Sequence, residues 1–129
     1  MARILVIEDD LTFLELLRVH LSGVGHTVEV AEDAAVGLRA IVLSPPDLVL
    51  LDLNVPYLHG FELLEALRSD PLTKNIPVVI ITGRDDEETY NEARRMGADA
   101  FLTKPVQREA LMKAVDTCLK GIGEKPWRE

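Results

Sequence analysis

Five short runs of mostly apolar residues alternate with amphipathic stretches along the chain. The first run, 4–7, contains no polar residue, which is typical of a strand that is covered on both faces. The second run, 27–31, alternates between polar and apolar residues and predicts a strand nearer the edge of a sheet. The full set of predicted strands is 4–7, 27–31, 48–51, 78–82 and 100–103.

A stretch with helical periodicity follows each of these strands. Asp9 or Asp10 is placed to cap the first helix and Asp33 the second, because a short carboxylate side chain accepts hydrogen bonds from the free amides of a helix start. The inner faces are predicted to carry Leu11, Leu14, Leu17 and Leu21 in the first helix, Ala35, Leu38, Ile41 and Val42 in the second, and Leu111, Val115, Cys118 and Leu119 in the last.

This alternation of strands and helices predicts an α/β fold. Short connections between the elements favour right-handed crossovers, which give a parallel sheet with helices on both faces. A doubly wound five-stranded sheet suits the flavodoxin-like strand order 2-1-3-4-5. We expect one domain over 1–121, with 122–129 a C-terminal tail or the start of a linker.

Composition narrows the classes of partner. The 129 residues include 22 acidic and 14 basic side chains, which gives a formal net charge of −8. Such a balance repels nucleic-acid backbones and anionic membranes, so no direct nucleic-acid or membrane binding is expected. Cys118 is the only cysteine, which excludes an intrachain disulfide, and we expect a cytoplasmic protein.

Polar residues end four of the five predicted strands. In an open parallel sheet, ligands bind outside the carboxyl ends of the strands, at the switch point between strands 1 and 3. Scattered surface polarity would not choose these positions so consistently. The residues are Glu8, Asp9 and Asp10 after strand 1, Asp52 after strand 3, Thr82 at the end of strand 4 and Lys104 after strand 5.

The residue types indicate phosphoryl chemistry on Asp52. Converging carboxylates repel one another unless a cation lies among them, and Mg²⁺ prefers oxygen ligands of this kind. The amine of Lys104 and the hydroxyl of Thr82 suit the oxygens of a phosphoryl group. Together these groups predict a site that stabilises a phosphoryl group in transfer to Asp52.

Four motifs carry a resemblance to a known family. They are "VIEDD", "LLDLNVPYLHG", "VVIITG" and "GADAFLTKP", and they follow one another on the expected elements. The chain resembles the receiver domain of two-component response regulators from residue 3 to about residue 120. The gaps from Asp52 to Thr82 and from Asp52 to Lys104 match the spacing of that family.

The resemblance implies a metal site and a phosphoacceptor. Asp52 is the expected phosphoacceptor and a metal ligand, and the expected cofactor is Mg²⁺. Asp9 is the expected direct ligand of the metal, and Glu8 an indirect or water-mediated partner. Asn54 is expected to coordinate the metal through its backbone carbonyl.

The same resemblance implies a switch. Thr82 and Lys104 are expected to contact the phosphoryl group, and Phe101 to rotate inward when Thr82 moves. A cis peptide bond is expected between Lys104 and Pro105, and Gly60 fits a tight entry into the third helix.

The expected function is therefore a phosphorylation-dependent signalling switch, with no enzyme activity beyond its own phosphorylation and dephosphorylation. The expected donor is a sensor histidine kinase or a histidine phosphotransfer protein. The expected readout is a downstream effector protein that binds the face formed by helix 4, strand 5 and helix 5.

Three alternatives remain open at this point. One is that the chain is the receiver part of a longer regulator with an output domain. An aspartyl-phosphate phosphatase of the haloacid-dehalogenase kind is disfavoured, because Asn54 stands where that class has its acid/base residue. A scaffold that is never phosphorylated is disfavoured because no residue of the expected site is missing.

Overall fold

The structure is a computed structural model that describes residues 2–55, 59–84 and 86–120. Five strands alternate with five helices in this part of the chain. The predicted tail, 122–129, lies outside these residues. None of the described helices has both the length and the apolar character that crossing a membrane requires. The elements are β1 (Arg3–Ile7), α1 (Leu11–Ser22), β2 (Thr27–Ala31), α2 (Ala34–Leu43), β3 (Leu48–Asp52), α3 (Gly60–Ser69), β4 (Val78–Thr82), α4 (Glu87–Arg95), β5 (Ala100–Thr103) and α5 (Arg108–Lys120).

The strands form one parallel sheet in the order β2-β1-β3-β4-β5. This confirms the predicted doubly wound, flavodoxin-like fold, and it places β2 at an edge as its alternating sequence indicates. The register aligns Asp52 with Ile81 of β4, and Thr82 with Thr103 of β5. The ends of β3, β4 and β5 are therefore level with one another at one edge of the molecule.

Alternate residues of each central strand face two different helix layers, because side chains along a strand point to opposite faces in turn. Leu48 and Leu50 face α1 and α5, whereas Val49 and Leu51 face α2, α3 and α4. All four side chains are fully buried. Asp52 continues the series of Leu48 and Leu50, so its position in the strand directs it toward α1 and α5.

The predicted inner face of α2 was partly wrong. Ile41 is buried as expected, but Ala35 and Val42 are exposed. The buried positions are instead Ala34 and Gly37, and their small size makes them hard to recognise by hydrophobicity. A Cβ at position 37 would lie 2.5 Å from Cδ1 of Ile7, so glycine allows α2 to pack closely on β1.

The inner faces of α1 and α5 also need correction. Leu11 is 65% exposed, because it begins α1 at the rim of the molecule rather than over the sheet. Leu119 is only partly buried, and Ala114 takes a buried place that the prediction left out. The other predicted inward residues of these two helices are buried: Leu14, Leu17 and Leu21 in α1, and Leu111, Val115 and Cys118 in α5.

Carboxylate caps begin three of the helices that leave the strand ends. Asp10 accepts a hydrogen bond from the backbone N–H of Phe13, and Asp33 from that of Val36. Asp86 caps α4 by accepting from the N–H of Thr89. These caps satisfy amides that have no partner within the helix. The cap of α1 is therefore Asp10, which leaves Asp9 available for another role.

At the opposite end of the sheet, Arg68 joins three segments of the chain. Its guanidinium donates to the backbone oxygens of Lys74, Ile76 and Gly97, and it pairs with Asp99 at 2.9 Å. These contacts connect the end of α3 to the start of β4 and to the turn before β5. Arg68 is only 20% exposed, so its charge and its partners are largely shielded from water.

We predict that Arg68→Met lowers the free energy of unfolding by about 2–4 kcal/mol, because it removes the guanidinium donor from three carbonyls and the cation from the partly buried carboxylate of Asp99. Urea denaturation measures the change. Arg95→Met is the matched control, since Arg95 is exposed and its ion pair within the described residues is with Glu92 of its own helix, and it should cost less than about 1 kcal/mol. Equal losses in the two variants would contradict the role assigned to Arg68.

Candidate functional site

The chemical groups of the site lie at the carboxyl ends of the strands. β1 and β3 place Glu8 and Asp52 side by side, because the two strands are neighbours in the sheet. β4 ends at Thr82, and the backbone N–H of Lys104 donates to the carbonyl oxygen of Thr82 at 2.8 Å. The structure thus brings the residues predicted at four strand ends to one edge of the sheet.

Three carboxylates converge here. Glu8, Asp9 and Asp52 each offer an oxygen, and these oxygens lie within 4.8 Å of one another. Glu8 and Asp52 are 1% and 5% exposed, whereas Asp9 is open to solvent. Two buried acids with a third at the rim form a negative cluster that is reached from one side.

The amine of Lys104 is shared between the two buried carboxylates. Its Nζ lies 3.0 Å from Oδ2 of Asp52 and 3.0 Å from Oε1 of Glu8. The contact with Asp52 has the geometry of a hydrogen bond. Partial burial lowers the pKa of Lys104, but its hydrogen bond to Asp52 and its attraction to the carboxylates of Asp52 and Glu8 outweigh this effect and raise the pKa above its usual value.

Glu8 is the least well satisfied member of the cluster. Its Oε2 accepts from the backbone N–H of Asp10 at 3.0 Å. Its Oε1 is buried and has no hydrogen-bond donor among the described residues, since the amine of Lys104 is close but poorly directed toward it. Burial raises the pKa of Glu8 from 4.5 to about 7, and the neighbouring carboxylate of Asp52 adds to the increase against the opposing effects of the Asp10 amide and Lys104.

A cation fits this arrangement. A hard divalent ion prefers carboxylate oxygens, and Glu8, Asp9 and Asp52 provide three of them. Such an ion would offset the repulsion between Glu8 and Asp52 that a single lysine amine only partly balances. The acidic cluster is therefore a candidate metal site.

Asp52 is oriented by the turn that follows β3. Its Oδ1 accepts from the backbone N–H of Asn54 at 2.9 Å, while Oδ2 accepts from Lys104. The side chain of Asn54 is exposed. Hydrogen bonds from two directions fix the plane of the carboxylate group.

The profile of the response regulator receiver domain family matches residues 4–116 of the chain. The chain belongs to this family. Receiver domains are signalling modules of two-component systems, in which they pair with histidine kinases and effectors.

Individual relatives resemble the chain over almost its whole length. Protein PilH of Pseudomonas aeruginosa is 39% identical over 121 residues, which are 94% of this chain and 100% of PilH. The DNA-binding dual master transcriptional regulator RpaA of Synechocystis is 35% identical over 98% of this chain, but the match spans only 52% of RpaA. The solved receiver domain of the Francisella response regulator 1452 is 30% identical with a TM-score of 0.87, covering 94% of this chain and 98% of that one.

The receiver domain holds Thr82 and Phe101 on the other side of the sheet from Asp52. The hydroxyl oxygen of Thr82 accepts from the backbone N–H of Arg84 at 3.1 Å, and the residue is fully buried. The half-buried ring of Phe101 packs edge-on against Tyr90 of α4, with ring centroids 5.3 Å apart. Thr82 therefore contacts the loop between β4 and α4, and Phe101 contacts α4 itself.

Two backbone features complete the receiver site. The peptide bond between Lys104 and Pro105 is cis, as the resemblance implies. The N–H of Gly60 donates to the carbonyl oxygen of Leu53 at 3.1 Å, which closes the loop between β3 and α3. Residues 56–58 of this loop lie outside the described part of the chain.

Phe13 is a residue of the site that was not predicted from the sequence, and its ring centroid lies 4.7 Å from Nζ of Lys104. An apolar side chain gives no chemical signal by itself. The available signal was position, since Phe13 lies in the first turn of the helix that begins beside Asp9 and Asp10.

We predict that Gly60→Ala destabilises the protein, because a Cβ at this position would lie 2.7 Å from Cα of Leu53 and 2.8 Å from its Cδ2. The loop that leaves Asp52 must then shift, at a cost of about 1–3 kcal/mol in the free energy of unfolding. Gly83→Ala is the matched control, since no described atom lies within 4 Å of its added Cβ. Urea denaturation measures both, and similar losses would contradict the steric argument.

We also predict that stability without metal falls more steeply with pH in the wild type than in Glu8→Gln. The folded protein binds the Glu8 proton with a pKa of about 7 instead of 4.5, so the burial penalty develops as pH rises through this window. The raised pKa of Lys104 lies above the window and leaves the slope unchanged. The measurement is the free energy of unfolding in urea with a metal chelator, from about pH 5 to about pH 8. Parallel profiles for the two proteins would contradict the assignment.

Proposed function

We propose that the chain is a phosphorylation-dependent switch in which Asp52 accepts a phosphoryl group from a histidine kinase or a histidine phosphotransfer protein. The observation that carries this proposal is the buried carboxylate of Asp52, held 3.0 Å from the amine of Lys104 inside a cluster of acids. A buried acid with a lysine and two further carboxylates suits a reacting group better than a structural one.

The proposed cofactor is Mg²⁺. Asp9 and Asp52 would hold the ion directly, Glu8 would act indirectly or through water, and Asn54 would contribute its backbone carbonyl. When bound, the ion neutralises negative charge on the phosphoryl oxygens and on the carboxylates. The cluster supports this choice by its oxygen ligands and by the buried Oε1 of Glu8 that lacks a donor among the described residues.

In the proposed transfer, an oxygen of Asp52 attacks the phosphorus of a phosphohistidine. A bond forms between phosphorus and the Asp52 oxygen while the bond between phosphorus and the imidazole nitrogen breaks, and the imidazole leaves with the electron pair. The amine of Lys104 moves from the carboxylate to a phosphoryl oxygen, where it balances the charge of the group. The hydroxyl of Thr82 donates to another phosphoryl oxygen, which requires it to release the N–H of Arg84.

The proposed output is the face formed by α4, β5 and α5. When Thr82 turns toward the phosphoryl group, it vacates space next to β5, and Phe101 rotates inward from its contact with Tyr90. An effector protein that prefers this second arrangement would then bind. The position of Phe101 on β5, with its ring against α4, supports the route from the site to this face.

The donor protein must approach Asp52 from the rim of the site. α1 begins there, and Leu11, Leu16 and Val19 are exposed along it beside a shallow groove. An apolar strip next to an acidic site suits a partner that brings a helix to the rim and presents a phosphohistidine beside it. We include this strip in the proposed donor interface.

One alternative has its own support. The match spans all of PilH but about half of RpaA, so the same module occurs alone and within longer relatives. The receiver is therefore proposed to act either through a separate effector or through an output domain of a longer regulator. We place either form in the cytoplasm, where kinases supply the phosphoryl group.

We predict that incubation with Mg²⁺ and acetyl phosphate adds the mass of one phosphoryl group to the wild type, as measured by intact-protein mass spectrometry. Asp52→Asn should not gain this mass, because the amide cannot act as the acceptor. Asp116→Asn is the control, since Asp116 is exposed on α5 and forms an ion pair with Lys120 of the same helix, and it should be labelled like the wild type. Undiminished labelling of Asp52→Asn, or no labelling of the wild type, would overturn the proposal.

A further inference from the structure

Phe13 provides a third contact to Lys104, besides the two carboxylates. The Nζ of Lys104 lies 4.7 Å from the centroid of the Phe13 ring. A cation within about 6 Å of a ring centroid is attracted by the negative face of the ring. The amine is therefore surrounded by Glu8, Asp52 and an aromatic face that belongs to a different layer of the fold.

The backbone of Phe13 is fixed by the site itself. Its N–H donates to Oδ1 of Asp10, which caps α1 immediately after the acidic cluster. Its side chain is partly buried and packs against the apolar layer between the sheet and the helices α1 and α5. The ring thus has little freedom to move, and it lies beside the amine of Lys104 on the side of α1.

A lysine depends on such a contact more than a shorter residue does. Its side chain has many rotamers, and holding its amine in one place costs conformational entropy. A further carboxylate would hold the amine too strongly and would add another charge to the cluster. An aromatic face attracts the amine without using a hydrogen-bond acceptor, so the N–H groups remain available to Asp52 and its substituent.

We propose that Phe13 is a positioning residue, whose ring holds the amine of Lys104 beside Asp52 through a cation–π contact. This inference rests on the proposed function, because the consequence of the contact is a faster transfer of the phosphoryl group. Phe13 does not touch the reacting atoms, and it acts through Lys104.

The first test compares Phe13→Leu, which keeps apolar volume and removes the ring face, with Phe13→Tyr, which keeps the ring. The rate of phosphorylation by acetyl phosphate at saturating Mg²⁺ is followed by intact-protein mass. Phe13→Leu should be about two- to tenfold slower than the wild type. Phe13→Tyr should stay within about twofold of it, which separates an effect of the ring from an effect of packing.

The second test places Phe13→Leu in the Lys104→Ala background. If the ring acts through the amine, the substitution should slow phosphorylation no further in that background, whereas independent effects would multiply. In parallel, the ¹H and ¹³C signals of the Lys104 ε-methylene should show a ring-current shift in the wild type and in Phe13→Tyr. That shift should be lost in Phe13→Leu.

Three results would overturn the inference: an unchanged rate in Phe13→Leu, an equal slowing in Phe13→Tyr, or a full additional slowing in the Lys104→Ala background. The failure of the proposed function looks different, because the wild type itself would then gain no phosphoryl mass. In that case the positioning role falls with it. Normal labelling of the wild type with a normal rate in Phe13→Leu overturns only the role of Phe13.

Discussion

Two buried carboxylates, those of Glu8 and Asp52, share one lysine amine at the carboxyl end of the sheet. Burial makes each negative charge costly, and the two charges repel one another, so the single cation of Lys104 balances the pair only in part. The raised pKa of Glu8 and its buried oxygen without a donor among the described residues are two expressions of this imbalance. The site is therefore prepared for additional positive charge, and a divalent cation is the group that its oxygen ligands suit.

Side chains alternate between the two faces of the sheet along each strand, so the acidic cluster and the ring pair of Tyr90 and Phe101 lie on opposite faces. Asp52 follows Leu48 and Leu50 toward α1 and α5, where Phe13 and Lys104 lie. Thr82 and Phe101 lie toward the other layer, where Thr82 accepts from Arg84 in the loop before α4 and Phe101 packs against Tyr90 of α4. In the proposed switch, chemistry on one face of the sheet is thus transmitted across the end of β4 to a surface on the other face. Asp52 and Thr82 end neighbouring strands, so the proposed coupling between the two faces needs no long chain of intervening side chains.

Most of the fold and most of the site follow from the sequence, because both depend on strong local patterns. Buried strands appear as short apolar runs, and acids directly after such runs are conspicuous, as Asp52 is. The errors came where size or register decided the outcome. Gly37 is buried because a glycine lets α2 approach Ile7, and a scale of hydrophobicity gives no weight to that fit. Phe13 and Lys104 lie far apart in the sequence and meet only in the folded chain, which is a tertiary relation that no local pattern contains.

The free energy that the proposed switch requires limits which interactions can drive it. Thr82 must release the N–H of Arg84, and Phe101 must leave the ring of Tyr90, and each contact is worth about 1 kcal/mol. Changing a two-state population from mostly one form to mostly the other takes about 5.5 kcal/mol of differential binding, so a new hydrogen bond to Thr82 cannot drive the change alone. A phosphoryl group brings about two negative charges into a low-dielectric site. In the proposed switch, the attraction between this group and the amine of Lys104 is a further contribution, and the ring of Phe13 is proposed to hold that amine beside Asp52.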